Sequence, residues 1–329
     1  RTLGPEHPAS LTSKGTLAGL YMAKGQYEKA LPLYLETLET RIRTLGPEHP
    51  STLTSKSTLA GLYKAKGQYE NALPLYQETL ETRSRLLGPE HPSTLTSKST
   101  LAILYKSTGE YDKSEPLLME VLESRERSLG AEHPSTLTSL NNLALLYAAQ
   151  GKPDSAEPLY LRSLECKERN LGPEHPSTLT TLNNLALLYK GQGKYDQAEP
   201  MYRRALETRQ RNLGPEHPST LTSLNSLGML YKAQGKSAEA EEVLRQVLEI
   251  RERILGPEHP STLISVNNLA LLLKSLGRKK EAEPLYERAL ECKERTLGPD
   301  HPSTMTSLNN LALLYKGQGK LELAERMYN

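Results

Sequence analysis

Tryptophan and phenylalanine are absent from the 329 residues, and cysteine occurs twice. Without Trp or Phe the chain lacks the flat platforms on which single-stranded nucleic acid stacks. Lys+Arg 41 against Asp+Glu 39, a net charge of +2, supplies no bulk field for a duplex or an anionic membrane. Nucleic acid and membrane partners are therefore not expected. No apolar run approaches the roughly 18 residues of a membrane span, and no signal-peptide pattern opens the chain. There is no nucleophile elbow, no phosphate-cradling GxxxxGK[ST] loop and no HExxH. The chain reads as a non-enzyme without a cofactor or a metal.

What the sequence has in place of these is repetition. LGPEHP begins at Leu3, Leu45, Leu87, Leu171, Leu213 and Leu255, with LGAEHP at Leu129 and LGPDHP at Leu297, always at a spacing of 42. A reaction centre is built once from dissimilar residues, so a motif at fixed intervals points to architecture. The registers are 1–42, 43–84, 85–126, 127–168, 169–210, 211–252 and 253–294, with a truncated eighth at 295–329. Residues 1–329 are read as a single array whose core grows by stacking. Both ends fall inside a repeat, which suggests a window cut from a longer array and open faces able to self-associate end to end. Cys166 and Cys292 share one phase three copies apart, tens of Å if helix layers stack at about 10 Å each, so no bond between them is expected and a reducing, cytoplasmic setting is favoured.

Each copy reads as two helices. Leu137, Leu140, Leu143, Ala144 and Tyr147 recur at steps of three or four, predicting helix A from about Pro134 to Gln150, with Ser135 and Thr136 helping to satisfy its first donors. Gly151 interrupts, and Ala156, Leu159, Tyr160, Ser163 and Leu164 predict helix B to about Leu171. In DQAEP, Asp196 and Glu199 resemble a capping box, with Pro200 at the edge of the first turn. Glu165 and Arg169 are spaced for an exposed pair four residues apart. LGPEHP is then a stop, a corner and a start: Gly172 ends one helix, Pro173 forbids its continuation and Pro176 opens the next. The eight histidines all lie in this corner, one per copy, too far apart to share a metal ion; a structural role in the loop is expected.

The pattern LNNLALLY…G…A…LY, carried by Leu143, Ala144, Tyr147, Gly151, Ala156, Tyr160 and Ser163, resembles the tetratricopeptide repeat, here lengthened to the 42-residue form of kinesin light chains and nephrocystin-3-type proteins. The resemblance covers the whole chain and implies an all-α, right-handed superhelical solenoid of antiparallel helix pairs that serves as a protein–protein interaction scaffold. It also implies that helix A lines the concave wall. The alternative role is a structural or regulatory arm of a larger signalling protein, acting as a sensor or an autoinhibitory segment and self-associating through its open ends.

On that wall the candidate peptide-contacting residues form lanes: Asn141, Asn183, Asn225, Asn267 and Asn309; beside them Asn142, Asn184, Asn268 and Asn310, with Ser226 at the sixth copy; then Leu145, Leu187, Met229 and Leu271; then Lys190, Lys232 and Lys274. An Asn amide donates and accepts at once, as an extended backbone requires. Leu and Met offer apolar pockets and the lysines favour acidic segments, so an extended or helical peptide with apolar and acidic residues is the expected partner. The second Asn of each pair can instead bridge to the neighbouring helix. Copies one to three have Gly, Ser or Thr in the Asn lanes and place Lys14, Lys56 and Lys98 where later copies have a branched aliphatic residue. Any peptide site is therefore expected from about residue 127 onward, and those lysines are expected to pack their stems and release their heads to water.

Overall fold

The computed structural model describes Gly4 and residues 6–328. Among these, every element is helical. The A helices are α1 (Pro8–Ala23), α3 (Pro50–Ala65), α5 (Pro92–Ser107), α7 (Pro134–Ala149), α9 (Pro176–Gly191), α11 (Pro218–Ala233), α13 (Pro260–Ser275) and α15 (Pro302–Gln318). The B helices are α2 (Tyr27–Leu45), α4 (Tyr69–Leu87), α6 (Tyr111–Leu129), α8 (Pro153–Leu171), α10 (Tyr195–Leu213), α12 (Ser237–Leu255), α14 (Lys279–Leu297) and α16 (Leu321–Arg326). Two compact units result, one of the residues up to Ser124 with Thr296–His301, the other of Arg125–Arg295 with the residues from Pro302 on. Successive helices pack on one another from α1 to α5 in the first unit and from α7 to α13 in the second.

The apolar stripes predicted from periodicity face these contacts. Ala144, Ala156, Ala186, Ala198, Ala240 and Ala282 are wholly buried, small enough to let A and B helices approach, and Tyr160, Tyr202 and Tyr286 fill the space between pairs. In the sixth copy Gly228 stands where others carry Ala. A Cβ there would lie 3.0 Å from Val243 Cγ1 and 3.1 Å from Leu244 Cδ2, so the glycine makes room for branched neighbours. Both cysteines are free and buried.

The corner is more specific than a stop and a start. Gly172, closing α8, has φ 91° and ψ 159°, a region open only to glycine. The residue that caps helix A is the histidine: His133 Nδ1 accepts from the Ser135 backbone N–H at 3.1 Å, and His7, His49, His91, His175, His217 and His259 do the same in their copies. Ser135 and Thr136 do not cap; the Thr136 hydroxyl instead donates to Gly130 O at 2.8 Å, tying the new helix to the end of the old one. The corner glutamate meets an arginine near the end of the next helix B, as in Glu216–Arg253 at 2.6 Å. Arg169 accordingly reaches Glu132, 37 residues back, and not the expected Glu165, because the packed neighbour offers a carboxylate already held in place.

Two further expectations change. The N-cap of α10 is Lys194, with no side-chain cap, so Asp196 lies in the first turn and Pro200 inside the helix; Glu199 turns outward to Arg203, Gln234 and Lys236. The lysines of copies one to three pack their stems but do not release their heads: Lys14 Nζ is 2.5 Å from Glu36, Lys56 Nζ 2.5 Å from Glu78, and Lys98 pairs with Glu120. Lys56 and Lys98 are buried, so a carboxylate from the facing B helix does what water was expected to do.

A cation also stitches each helix B to the next helix A. Arg251 donates to Ser265 Oγ at 2.8 Å and Ser261 O at 2.9 Å; Arg41, Arg83, Arg125 and Arg209 repeat the pattern. In copies four and seven it is a lysine: Lys167 donates to Thr181 Oγ1 and Lys293 to Ser307 Oγ, both at 2.7 Å. Burial pushes both ammonium groups down to about 8.

Candidate functional site

The candidate residues lie on α7, α9, α11, α13 and α15 of the second unit, and their Asn side chains reach from one A helix to the next. A 42-residue period returns the same face of helix A at each step, so one phase becomes one lane. The two Asn lanes are joined by hydrogen bonds: Asn184 Nδ2 donates to Asn141 Oδ1 at 3.1 Å, Asn268 to Asn225 at 3.1 Å and Asn310 to Asn267 at 3.0 Å. The bridging role open to the second Asn is thus realised, and these amides brace the wall. One rung is missing. Ser226 turns its hydroxyl back to Thr222 O at 3.0 Å, and Asn183 Oδ1 is buried without a hydrogen-bond partner. Asn142 is half-buried; Asn309 is exposed and accepts from the Tyr328 hydroxyl at 2.9 Å.

The apolar lane is divided. Leu187 is 52% exposed, whereas Leu145, Met229 and Leu271 are half-buried and lean on the core. Between α7, α8 and α9 lies a pocket of about 600 Å³ lined by Leu145, Ala148, Ala149, Gly151, Pro153, Tyr160, Asn184, Leu187, Leu188, Gly191 and Gln192. It gathers three residues named from the sequence, Leu145, Asn184 and Leu187; the others supply its floor and rim. The missed signal was compositional. Copy four has Pro153 where copies one, two, three and five have Tyr27, Tyr69, Tyr111 and Tyr195, and Ala148 where six other copies have Lys, so two bulky side chains are absent at the mouth.

Lys190, Lys232 and Lys274 are half-buried. Burial, then the neighbouring Lys232 charge, holds the Lys190 ammonium below its usual range; Lys274 is lowered by burial and then by Lys279. Neither Lys190 nor Lys232 forms an ion pair among the described residues. Among those residues there is also no group of three metal-ligating side chains and no helix long and apolar enough to cross a membrane.

The Tetratricopeptide repeat family model matches residues 9–73, 53–126, 94–169, 154–211, 177–253, 234–295 and 280–329, and the chain belongs to that family. Repeats of this family generally mediate protein–protein interaction. Similar solved structures include the nearly identical TPR-like repeats of a Podosopora anserina kinesin-light-chain-type protein, 34% identical over 63% of this chain and 98% of that one, with a TM-score of 0.51. BtubC (BKLC) from P. vanneervenii is 25% identical over 75% of this chain and 93% of its own, TM-score 0.53. A tetratricopeptide repeat protein from Parabacteroides merdae, at 19% identity, 93% and 99% coverage and TM-score 0.58, shares the fold. No curated protein matches.

Proposed function

We propose that the chain is a protein-interaction module whose A-helix face, from α7 onward, holds an extended or helical peptide bearing apolar and acidic side chains. The observation that carries this reading is the pairing of an apolar pocket at Leu145, Tyr160 and Leu187 with two neighbouring lysines, Lys190 and Lys232, that lack carboxylate partners. Many cations of the repeat end on a carboxylate along the stack; these two positive charges stand together, half-desolvated, as Lys64 and Lys106 do at the same phase of the first unit. A carboxylate brought by a partner relieves that repulsion, and an aliphatic or aromatic side chain fills the pocket. Among known proteins, a Rap protein of the same fold, 15% identical, forms a complex with Competence and Sporulation Factor.

The test is an immobilised array of 12-residue peptides in which apolar and acidic content vary independently. Peptides with both are expected to be retained, and a Lys190→Glu, Lys232→Glu variant of unchanged helicity should lose at least roughly tenfold in affinity, the effect of about 1.4 kcal/mol. Retention that ignores acidic content, or no retention at all, sinks the proposal.

A further inference from the structure

The interruption of the amide ladder singles out one residue. At three steps from α7 to α15 the second Asn of one copy donates to the first Asn of the copy before it, so that Asn141, Asn225 and Asn267 each have their Oδ1 engaged. At the step from α9 to α11 the donor is missing because position 226 is Ser, and that hydroxyl is committed to its own helix at Thr222 O. Asn183 is left with a buried, unpartnered Oδ1 and with no side-chain hydrogen bond among the described residues. Its amide lies one turn of α9 from Leu187, on the pocket rim, and two turns from Lys190.

We infer that Ser226 is a specificity-determining gap: by withholding the fourth rung it leaves the half-buried Asn183 side chain untethered, so that its amide can turn its covered oxygen outward and accept from a backbone N–H of an extended peptide. The inference rests on the peptide-binding reading above and adds to it where along the wall the ligand backbone docks. A desolvated carbonyl without a donor is costly to leave unmade, so a partner that supplies an N–H there gains more than one that meets an amide already bridged. An extended peptide fits because it presents an N–H without consuming it in an internal helix turn. A helical ligand offers no such group except at its first turn.

The substitution that tests this comes from the chain itself. Ser226→Asn places at that phase the residue that copies four, five, seven and eight carry and should close the ladder; Ser226→Ala removes the hydroxyl and leaves the gap open. Peptides retained by the wild-type chain on the 12-residue array are expected to lose roughly tenfold or more in affinity for Ser226→Asn and to stay within about twofold for Ser226→Ala. Equal affinity for all three chains overturns the inference and leaves the peptide-binding reading intact. If the wild-type chain retains no peptide, both fall. Should Ser226→Asn lose helicity, the decision passes to the wild-type chain and to its retained peptides remade with one backbone nitrogen methylated at a time. Loss confined to a single methylated position supports the inference, and indifference to every position overturns it.

Discussion

The two units solve one packing problem in different ways. Among the described residues, the buried apolar side chains of the first unit form two clusters, around Tyr34 with Leu59 and around Tyr76 with Leu101, linked through the half-buried Tyr63 and Leu75; in the second, one cluster runs from Ala144 to Ala324. One phase of helix A tracks the difference. Lys14, Lys56 and Lys98 occupy it in the first unit, each paired with the glutamate of its own copy's B helix, whereas Leu140, Leu182, Leu224 and Val266 occupy it in the second. In copies four, five and seven, where the lysine becomes Leu140, Leu182 or Val266, the glutamate phase turns basic, and Arg162, Arg204 and Arg288 pair backwards with Glu126, Glu168 and Glu252 of the preceding copy; copy six, with Leu224, has the neutral Gln246 there. Charge that was spent inside a repeat is redirected to the joint between repeats, and the vacated interior becomes continuous apolar seam. Cohesion between copies is thus a choice written in correlated positions.

Transplanting the first unit's solution into the second should have the largest effect. Leu182→Lys puts an ammonium group in a buried site whose phase partner, 22 residues on as Glu36 is from Lys14, is Arg204, and a loss of about 3–5 kcal/mol is expected in urea unfolding followed by circular dichroism. Adding Arg204→Glu should recover a large part of it; no recovery would show that the pair is incidental to the lysine's burial.

A smaller effect follows from the stitching cations, which are Arg41 and Arg83 in the first unit but include Lys167 and Lys293 in the second. Burial holds these lysines at about 8, below the value near 10.4 of an unfolded chain. Between those two values the unfolded chain binds more protons, so stability rises with pH through that window, by on the order of 1–3 kcal/mol per lysine, and the penalty is fully present below it. The midpoint difference between the wild-type chain and a Lys167→Arg, Lys293→Arg variant should therefore shift in favour of wild type from pH 8 to 10. A constant difference would contradict the assignment.

The smallest change is the reverse transplant. Lys56→Leu removes a buried ammonium whose partner Glu78 is itself exposed and can return to water, so stability should move by less than about 1 kcal/mol and can increase. A large loss would mean that the pair holds the first unit together.

Much of this architecture was legible before any coordinates. Helix A at Pro134–Ala149 and helix B to Leu171 follow the spacing of Leu137, Leu143, Tyr160 and Leu164, because apolar periodicity reports the face a helix must bury. Lane membership of Asn183 and Lys190 was legible for the same reason. What these residues touch was not: Asn184 meets Asn141 43 residues away, and Arg169 meets Glu132 across a similar gap, so local rules pointed to Glu165. His133 escaped as a cap because imidazole is an uncommon capping group, and its role depends on the corner's extended backbone.

By itself, then, the sequence determined the period, the two helices, the glycine corner and which residues share a face, since each depends on neighbours within a turn or two of chain. Tertiary structure alone decided which polar groups find partners, that Lys56 ends on a carboxylate and that the Asn184 amide bridges to Asn141. Those outcomes depend on distances between copies, which the stacking of whole helices sets and no local pattern encodes.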